Sequence, residues 1–244
     1  VLRNGSVMTY KELPIGSVFT FGHDGTNAIE WLKIDDEGRA IKYKHIWATM
    51  DSPRPKTGNN CAVKTHGYHF FPKSHLFQYL NSDEEQINLN DDGEPQYYLH
   101  NANGFLNKCF SEYDLNVLVP MTKTYKVPDG YTRLWGKTCE VTSLVTIPSI
   151  EEIRGESVNG EPCENKKNEA LNIMRLCTLT DTTLNSMCVE YRYYGYEKVS
   201  PIKDTRVQPI IKIMENARID QCNGAYRILP EIPHLEKDIL TLME

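Results

Sequence analysis

Apolar positions along this chain come in short bursts rather than long stripes, which predicts many brief strands and a few short helices. Residues 18–21 (Val-Phe-Thr-Phe) read as a strand, and 29–34 alternate as a second one. Asp35-Asp36-Glu37-Gly38 is a turn, after which 40–44 return as the second arm of a hairpin. Residues 45–50 continue that arm or bend away from it. The next stretch, 51–64, is rich in Pro, Gly and Asn and lacks periodicity, so it is a surface loop.

Residues 74–118 hold the helical patterns. Ser74 is placed to cap a short helix whose apolar side is Leu76, Phe77, Tyr79 and Leu80. An acidic insert over 83–94 reads as solvated loop. Asn103 is placed to cap a second helix with the stripe Phe105, Leu106, Cys109 and Phe110, and Ser111-x-x-Asp114 reads as a capping-box restart. Residues 115–119 are a buried strand or helix end, stopped by Pro120.

Downstream, 123–136 is a polar, aromatic loop and 140–147 is β-rich. A short helix is expected over 149–153, and 168–176 carry apolar residues at helical spacing. Residues 187–194, 207–213 and 225–229 are strand-like, and Pro209 marks its segment as an edge or a strand start. Strands and helices mix without regular βαβ alternation. The fold class is therefore α+β: an irregular mixed or antiparallel sheet with a few short helices and long loops. One domain is expected over 8–214, after an upstream or added segment at 1–7 and before a C-terminal extension at 215–244.

Composition narrows the partners. The 244 residues carry a formal charge of −6, which opposes a nucleic-acid partner because phosphate neutralisation needs a basic face. No run of 18 apolar residues occurs, so no membrane-spanning helix is expected. The seven cysteines are an odd number, scattered and without a Cys-x-x-Cys pair. They read as reduced thiols acting as small apolar groups, which implies synthesis in a cytosol.

Candidate chemistry is sparse. Cys61, His66 and His69, with His75 nearby, are the nearest approach to a metal set, but no paired Cys-x-x-Cys supports them. Aromatic packing with polar tips accounts for the same residues, and no metal or other cofactor is assigned. The acidic insert lacks the regular spacing of a calcium loop. No nucleophile elbow, dinucleotide fingerprint or phosphate loop is present. Two aromatic–basic clusters are the best binding candidates: Tyr125, Tyr131, Arg133 and Trp135, and Arg192, Tyr193, Tyr194 and Tyr196. Tyr offers a large, rigid contact with a polar tip, and Arg joins it at recognition hot spots. The competing reading is that alternate tyrosines simply pack on a sheet.

Six segments occur in order: Phe21-Gly22; Ile29-x-Trp31-Leu32; Ser74-x-Leu76-x-x-Tyr79-Leu80-Asn81; Phe105-Leu106-x-x-x-Phe110-Ser111-x-x-Asp114; Pro148-Ser149-x-Glu151-Glu152-Ile153; and Val207-x-Pro209-Ile210. Over about 18–213 this resembles a domain-of-unknown-function family of bacteria and their phages. That family has a Phe-Gly and Ile-x-Trp start, then Ser-x-Leu-x-x-Trp-Leu-Asn, Phe-Ser-x-x-Glu, Ser-x-Glu-Glu and a closing Arg-Pro-Ala-Leu. Here Tyr79 stands for the Trp, Asp114 for the Glu and Val207-Gln208-Pro209 for the Arg-Pro, and the stretch between Asn81 and Asn103 is an extra insert. The resemblance implies a C-type-lectin-like or sulfatase-modifying-factor-like layout, a compact scaffold carrying long variable loops. It also implies a phage- or prophage-encoded protein made in a bacterial cytoplasm. The expected function is a non-enzymatic binding module that presents aromatic loops to a protein or glycan surface. One alternative is a virion tail or baseplate component that uses the Tyr-rich edge and the apolar tail at 239–243 for subunit contacts. Another is an enzyme using Cys and His.

Overall fold

The fold is taken from a computed structural model that describes residues 8–25, 27–48, 70–83, 104–127, 137–149, 174–179, 188–192, 195–199, 205–222 and 224–230. Its strands are β1 (Met8–Thr9), β2 (Val18–Asp24), β3 (Asn27–Lys33), β4 (Arg39–Lys42), β5 (Ile46–Ala48), β6 (Met121–Lys126), β7 (Thr138–Ser143), β8 (Val145–Thr146), β9 (Met174–Leu179), β10 (Cys188–Arg192), β11 (Gly195–Val199), β12 (Thr205–Val207), β13 (Ile210–Lys212), β14 (Arg218–Cys222) and β15 (Ala225–Ile228). Three short helices, α1 (His75–Leu80), α2 (Phe105–Cys109) and α3 (Glu112–Leu115), separate β5 from β6. This is a sheet-rich α+β protein, as the short apolar bursts predict. Among the described residues no helix is long and apolar enough to cross a membrane.

Eight strands form the main sheet in the order β1-β14-β15-β2-β3-β4-β13-β8. Its pairings are antiparallel except β15 with β2. The expected hairpin of 29–34 and 40–44 is β3–β4, with Leu32 opposite Ile41. Its turn is set by Asp35, whose Oδ1 accepts the N–H groups of Glu37 and Arg39, both at 3.0 Å. Residues 45–48 do bend away, since β5 pairs with β12 rather than staying in the main sheet.

Three expectations are corrected. The domain boundary after 214 does not fall there, because β14 and β15 stand between β1 and β2 and complete the main sheet. Residues 174–176, expected at the end of a helix, begin strand β9, whose Met174 pairs with Tyr191 of β10. A short apolar run suits a buried helix or a strand equally, and the cross-strand partner decided it. The polar loop expected from 123 begins instead as strand β6. Pro209 marks a strand start: β12 ends at Val207 and β13 begins at Ile210, inside the sheet between β4 and β8. The expectations for 1–7, 51–64, 84–103, 150–153, 157–167 and 231–244 lie outside the described residues.

The helices close one face of the sheet. Trp31 is fully buried, its indole N–H donates to the Phe21 carbonyl at 2.9 Å, and its ring stacks near Phe110. Phe21 and Phe105 also meet Phe110, so an aromatic cluster joins β2, β3 and α2. The approach is close at Gly22, where a Cβ would lie 2.4 Å from the Cys109 carbonyl oxygen. With φ at +69°, Gly22 also adopts a backbone that other residues resist.

Each helix is capped, though not all as expected. Ser74 accepts from the Phe77 N–H at 3.1 Å and donates to the Phe71 carbonyl at 2.7 Å. Ser111 and Asp114 form the reciprocal capping box. At α2 the cap residue is Gly104 rather than Asn103. The N–H groups of Leu106 and Asn107 are met by the Ser82 carbonyl at 3.1 and 3.4 Å. Gly104 is pressed so close that a Cβ there would sit 2.0 Å from that same oxygen.

Asn81 ties α1 to the sheet edge. Its Oδ1 accepts from the Val145 N–H at 2.9 Å, and its Nδ2 donates to the Val145 carbonyl at 3.0 Å and to the Phe77 carbonyl at 3.1 Å. Asn81→Ala should therefore strand the Val145 N–H, while the Val145 carbonyl keeps the Ser143 hydroxyl at 3.1 Å, and lower stability by about 1–2 kcal/mol. Urea unfolding checks this. A loss below about 0.5 kcal/mol would show that water replaces the amide at no cost.

Candidate functional site

Of the two aromatic–basic clusters, Tyr125 lies on one antiparallel hairpin and Arg192 and Tyr196 on another. In β6–β7 the register runs from Met121 opposite Ser143 to Lys126 opposite Thr138. Exposure alternates along both strands, so Thr122, Thr124, Lys126, Thr138, Glu140 and Thr142 share the outward face. Thr122 and Thr142 hydrogen-bond across that face at 2.8 Å. The hairpin is closed at its far end by the Val127 N–H donating to the Lys137 carbonyl at 2.9 Å. The chain from there to Lys137 carries Tyr131, Arg133 and Trp135, which lie outside the described residues.

Tyr125 is the exception and is corrected. It faces inward from β6, 5% exposed, with rings of Phe70 and Phe71 around it and its hydroxyl 3.1 Å from Thr146 Oγ1. The period of two decides this: its neighbours Thr124 and Lys126 point out, so Tyr125 must point in. It belongs to the core.

In the second hairpin Arg192 pairs with Gly195 and Tyr191 with Tyr196. Arg192 ends β10 and Tyr196 lies in β11. Tyr193 and Tyr194 are the two residues between the paired ends and lie outside the described residues. Two-residue hairpin connections favour Asn and Gly, whose backbones tolerate positive φ. Turn chemistry therefore gives no reason for two tyrosines at this point. Cys61, His66 and His69 are also outside the described residues. Among the described residues no group of three His, Cys, Asp or Glu is placed to hold a metal ion.

Two clusters of ionisable groups were missed. Lys33 is 1% exposed, and its Nζ donates to the carbonyls of Leu13, Tyr10 and Lys11 at 2.6, 3.1 and 3.3 Å, 5.0 Å from the Tyr10 ring centroid. An ammonium has three protons, and here each has a carbonyl. Burial lowers the Lys33 pKa, while Asp36, Asp35 and Glu215 oppose that shift. The sequence carried a signal for it: a period of two puts Lys33 on the same strand face as Ile29 and Trp31.

The second cluster joins β2, β4, α1 and α2. Cys109 is buried, with Tyr79, Lys42, Asp24 and Lys108 within electrostatic reach. Lys108 pairs with Asp24 at 3.2 Å across a half-exposed surface. Burial, then Asp24, pushes the Cys109 thiol up to about 12, against the weaker pull of Lys108 and Lys42. Burial also raises the Tyr79 pKa, with Cys109 and Asp24 adding to it. The thiolate is the nucleophilic form, so Cys109 is held in its inert state. Its side chain belongs to the apolar core cluster.

The chain matches no family model, no curated protein and no solved structure.

Cys109 should resist iodoacetamide at pH 7.5 in the folded protein and react in urea. Mass spectrometry of alkylated peptides reads this. Native labelling of Cys109 as fast as in urea would contradict a buried, protonated thiol.

Proposed function

We propose that the chain is a non-enzymatic binding module, phage- or prophage-encoded, that presents aromatic loops to a protein or glycan. One observation carries this reading: both remaining aromatic–basic clusters are joined to the turn ends of hairpins whose strand pairing is set. Tyr131, Arg133 and Trp135 belong to the connection of β6 to β7, and Tyr193 and Tyr194 to the connection of β10 to β11. A hairpin end offers side chains to a partner while the paired strands fix where the connection starts and stops, which limits the ordering cost of binding. The tyrosines at the second connection are not explained by turn chemistry, which supports a role in contact. The sheet-rich layout with short helices accords with a C-type-lectin-like scaffold by analogy, and fold alone does not supply a ligand. The protonated, buried Cys109 weighs against this particular thiol as a nucleophile.

A glycan array and a bacterial-surface binding assay test the reading. Trp135→Ala and Tyr193→Ala should each weaken binding at least tenfold, the size expected for a hot-spot aromatic. Tyr125→Phe leaves both loops intact and should bind as the parent does. Binding unchanged in both loop variants would reject these two clusters as the contact surface.

A further inference from the structure

The β6–β7 ribbon stands apart from the main sheet as a pair of strands, so each strand has an outer edge. Two contacts fix which backbone groups lie on those edges. The Val127 N–H donates to the Lys137 carbonyl at 2.9 Å, so this opposed pair is one that shares backbone bonds. The register gives the same character to Tyr125 with Cys139, Lys123 with Val141 and Met121 with Ser143. The pairs between them are the closer kind, without shared backbone bonds. The Thr122 and Thr142 hydroxyls, 2.8 Å apart, lie on one of these. On β7 the N–H and carbonyl groups of Thr138, Glu140 and Thr142 therefore point away from β6. Among the described residues none of these groups has a backbone partner.

The two edges are not equivalent. The bonds that tie the ribbon to the sheet leave from β6: the Tyr125 hydroxyl is 3.1 Å from Thr146 Oγ1, and Lys123 Nζ donates to the Ile147 carbonyl at 3.0 Å. Lys126 also lies on β6, and an edge lysine discourages strand addition. On β7 the one charged residue is Glu140. The next strand in the chain, β8, is finished differently, because Asn81 occupies the backbone of Val145. The protein thus closes one edge with an amide and leaves the edge before it open.

We propose that the outer edge of β7 receives an extended peptide of a partner protein, which adds to the ribbon as a further antiparallel strand. The peptide backbone bonds to Thr138, Glu140 and Thr142, and its alternate residues fall on the two faces of the ribbon. Cys139 and Val141 pack against the apolar core cluster, so their face takes apolar residues. On the outward face Glu140 stands between two threonines, so a Lys or Arg belongs opposite it. The same charge counts against a second copy of this chain, since pairing β7 with itself about a two-fold axis sets Glu140 opposite Glu140. The site is the strand itself, so it goes beyond the aromatic connections and does not rest on their binding a ligand.

Fluorescence anisotropy of the intact chain with labelled Thr-Val-Lys-Val-Thr-Val tests this. In antiparallel register its lysine faces Glu140, and the valines on either side face Val141 and Cys139. The peptide should bind. N-methylation of its first, third and fifth residues removes the N–H groups aimed at β7 and should weaken binding at least about tenfold. Glutamate in place of the peptide lysine should weaken binding at least about threefold, and Glu140→Lys should reverse that preference. Thr142→Pro removes one outward N–H without touching a bond to β6, and should weaken binding of the parent peptide while circular dichroism stays unchanged. No binding of the parent peptide, binding that survives N-methylation, or equal binding of the lysine and glutamate peptides would each overturn the proposal. So would a dimer in sedimentation that Thr142→Pro dissolves, because the edge would then belong to a second copy.

Discussion

The fold depends on how the edge strand β8 is finished. Val145 turns an N–H and a carbonyl away from β13, and the Asn81 side chain meets both, as a neighbouring strand would. An open edge offers a template to other strands, so closing it with an amide also protects the sheet. The next residue, Ser82, turns its carbonyl to the first N–H groups of α2. Two consecutive residues therefore fix the sheet edge, the end of α1 and the start of α2. The chain leaves this point at Ser82 and returns to it at Gly104, so the acidic insert begins and ends at one place in the fold.

The same economy governs the buried cations. Lys33 is not an error in an apolar face but a cap, saturating three carbonyls of the turn around Tyr10–Glu12. That turn sits against β14 through the Tyr10 N–H, which donates to the Ala217 carbonyl. Lys42 uses its ammonium on the Lys44 carbonyl and its backbone on both Gln208 and Pro209. Desolvating an ammonium is tolerated only where carbonyls replace water, and Lys33 meets that condition with three of them. Such groups stiffen the scaffold and leave the outward work to the hairpins. The proposed binding role follows this division, with the two aromatic connections joined to strands outside the main sheet.

Local signals were legible where one residue decides its own neighbourhood. The Ser74 cap and the Ser111–Asp114 box need only a side chain and the next turn of backbone, so they could be read directly. The turn after β3 was equally plain, because Asp35 bonds the two N–H groups that follow it. Asn103 failed as a cap because the true partner of α2, the Ser82 carbonyl, lies more than twenty residues away in sequence. Strand β9 carries no local mark of its own, because apolar spacing over so few residues suits either element. Tyr125 shares an aromatic–basic stretch with Tyr131, Arg133 and Trp135, but its polar neighbours are also what an alternating strand looks like.

What the sequence determined by itself was the class: short strands, short helices, capped turns, and two aromatic–basic clusters separated from any catalytic motif. These follow from backbone preferences and from the two-residue and four-residue repeats of strands and helices, which act over a few positions. Only the tertiary structure decided that β14 and β15 complete the main sheet, that Lys33 and Gln208 are buried, and that Asn81 reaches Val145. Each of those depends on a partner distant along the chain; the period of two marks only the face on which Lys33 lies, not the carbonyls that receive it. The amide that finishes the sheet edge is legible only as an asparagine at the end of a helix, and its meaning comes from the strand it meets.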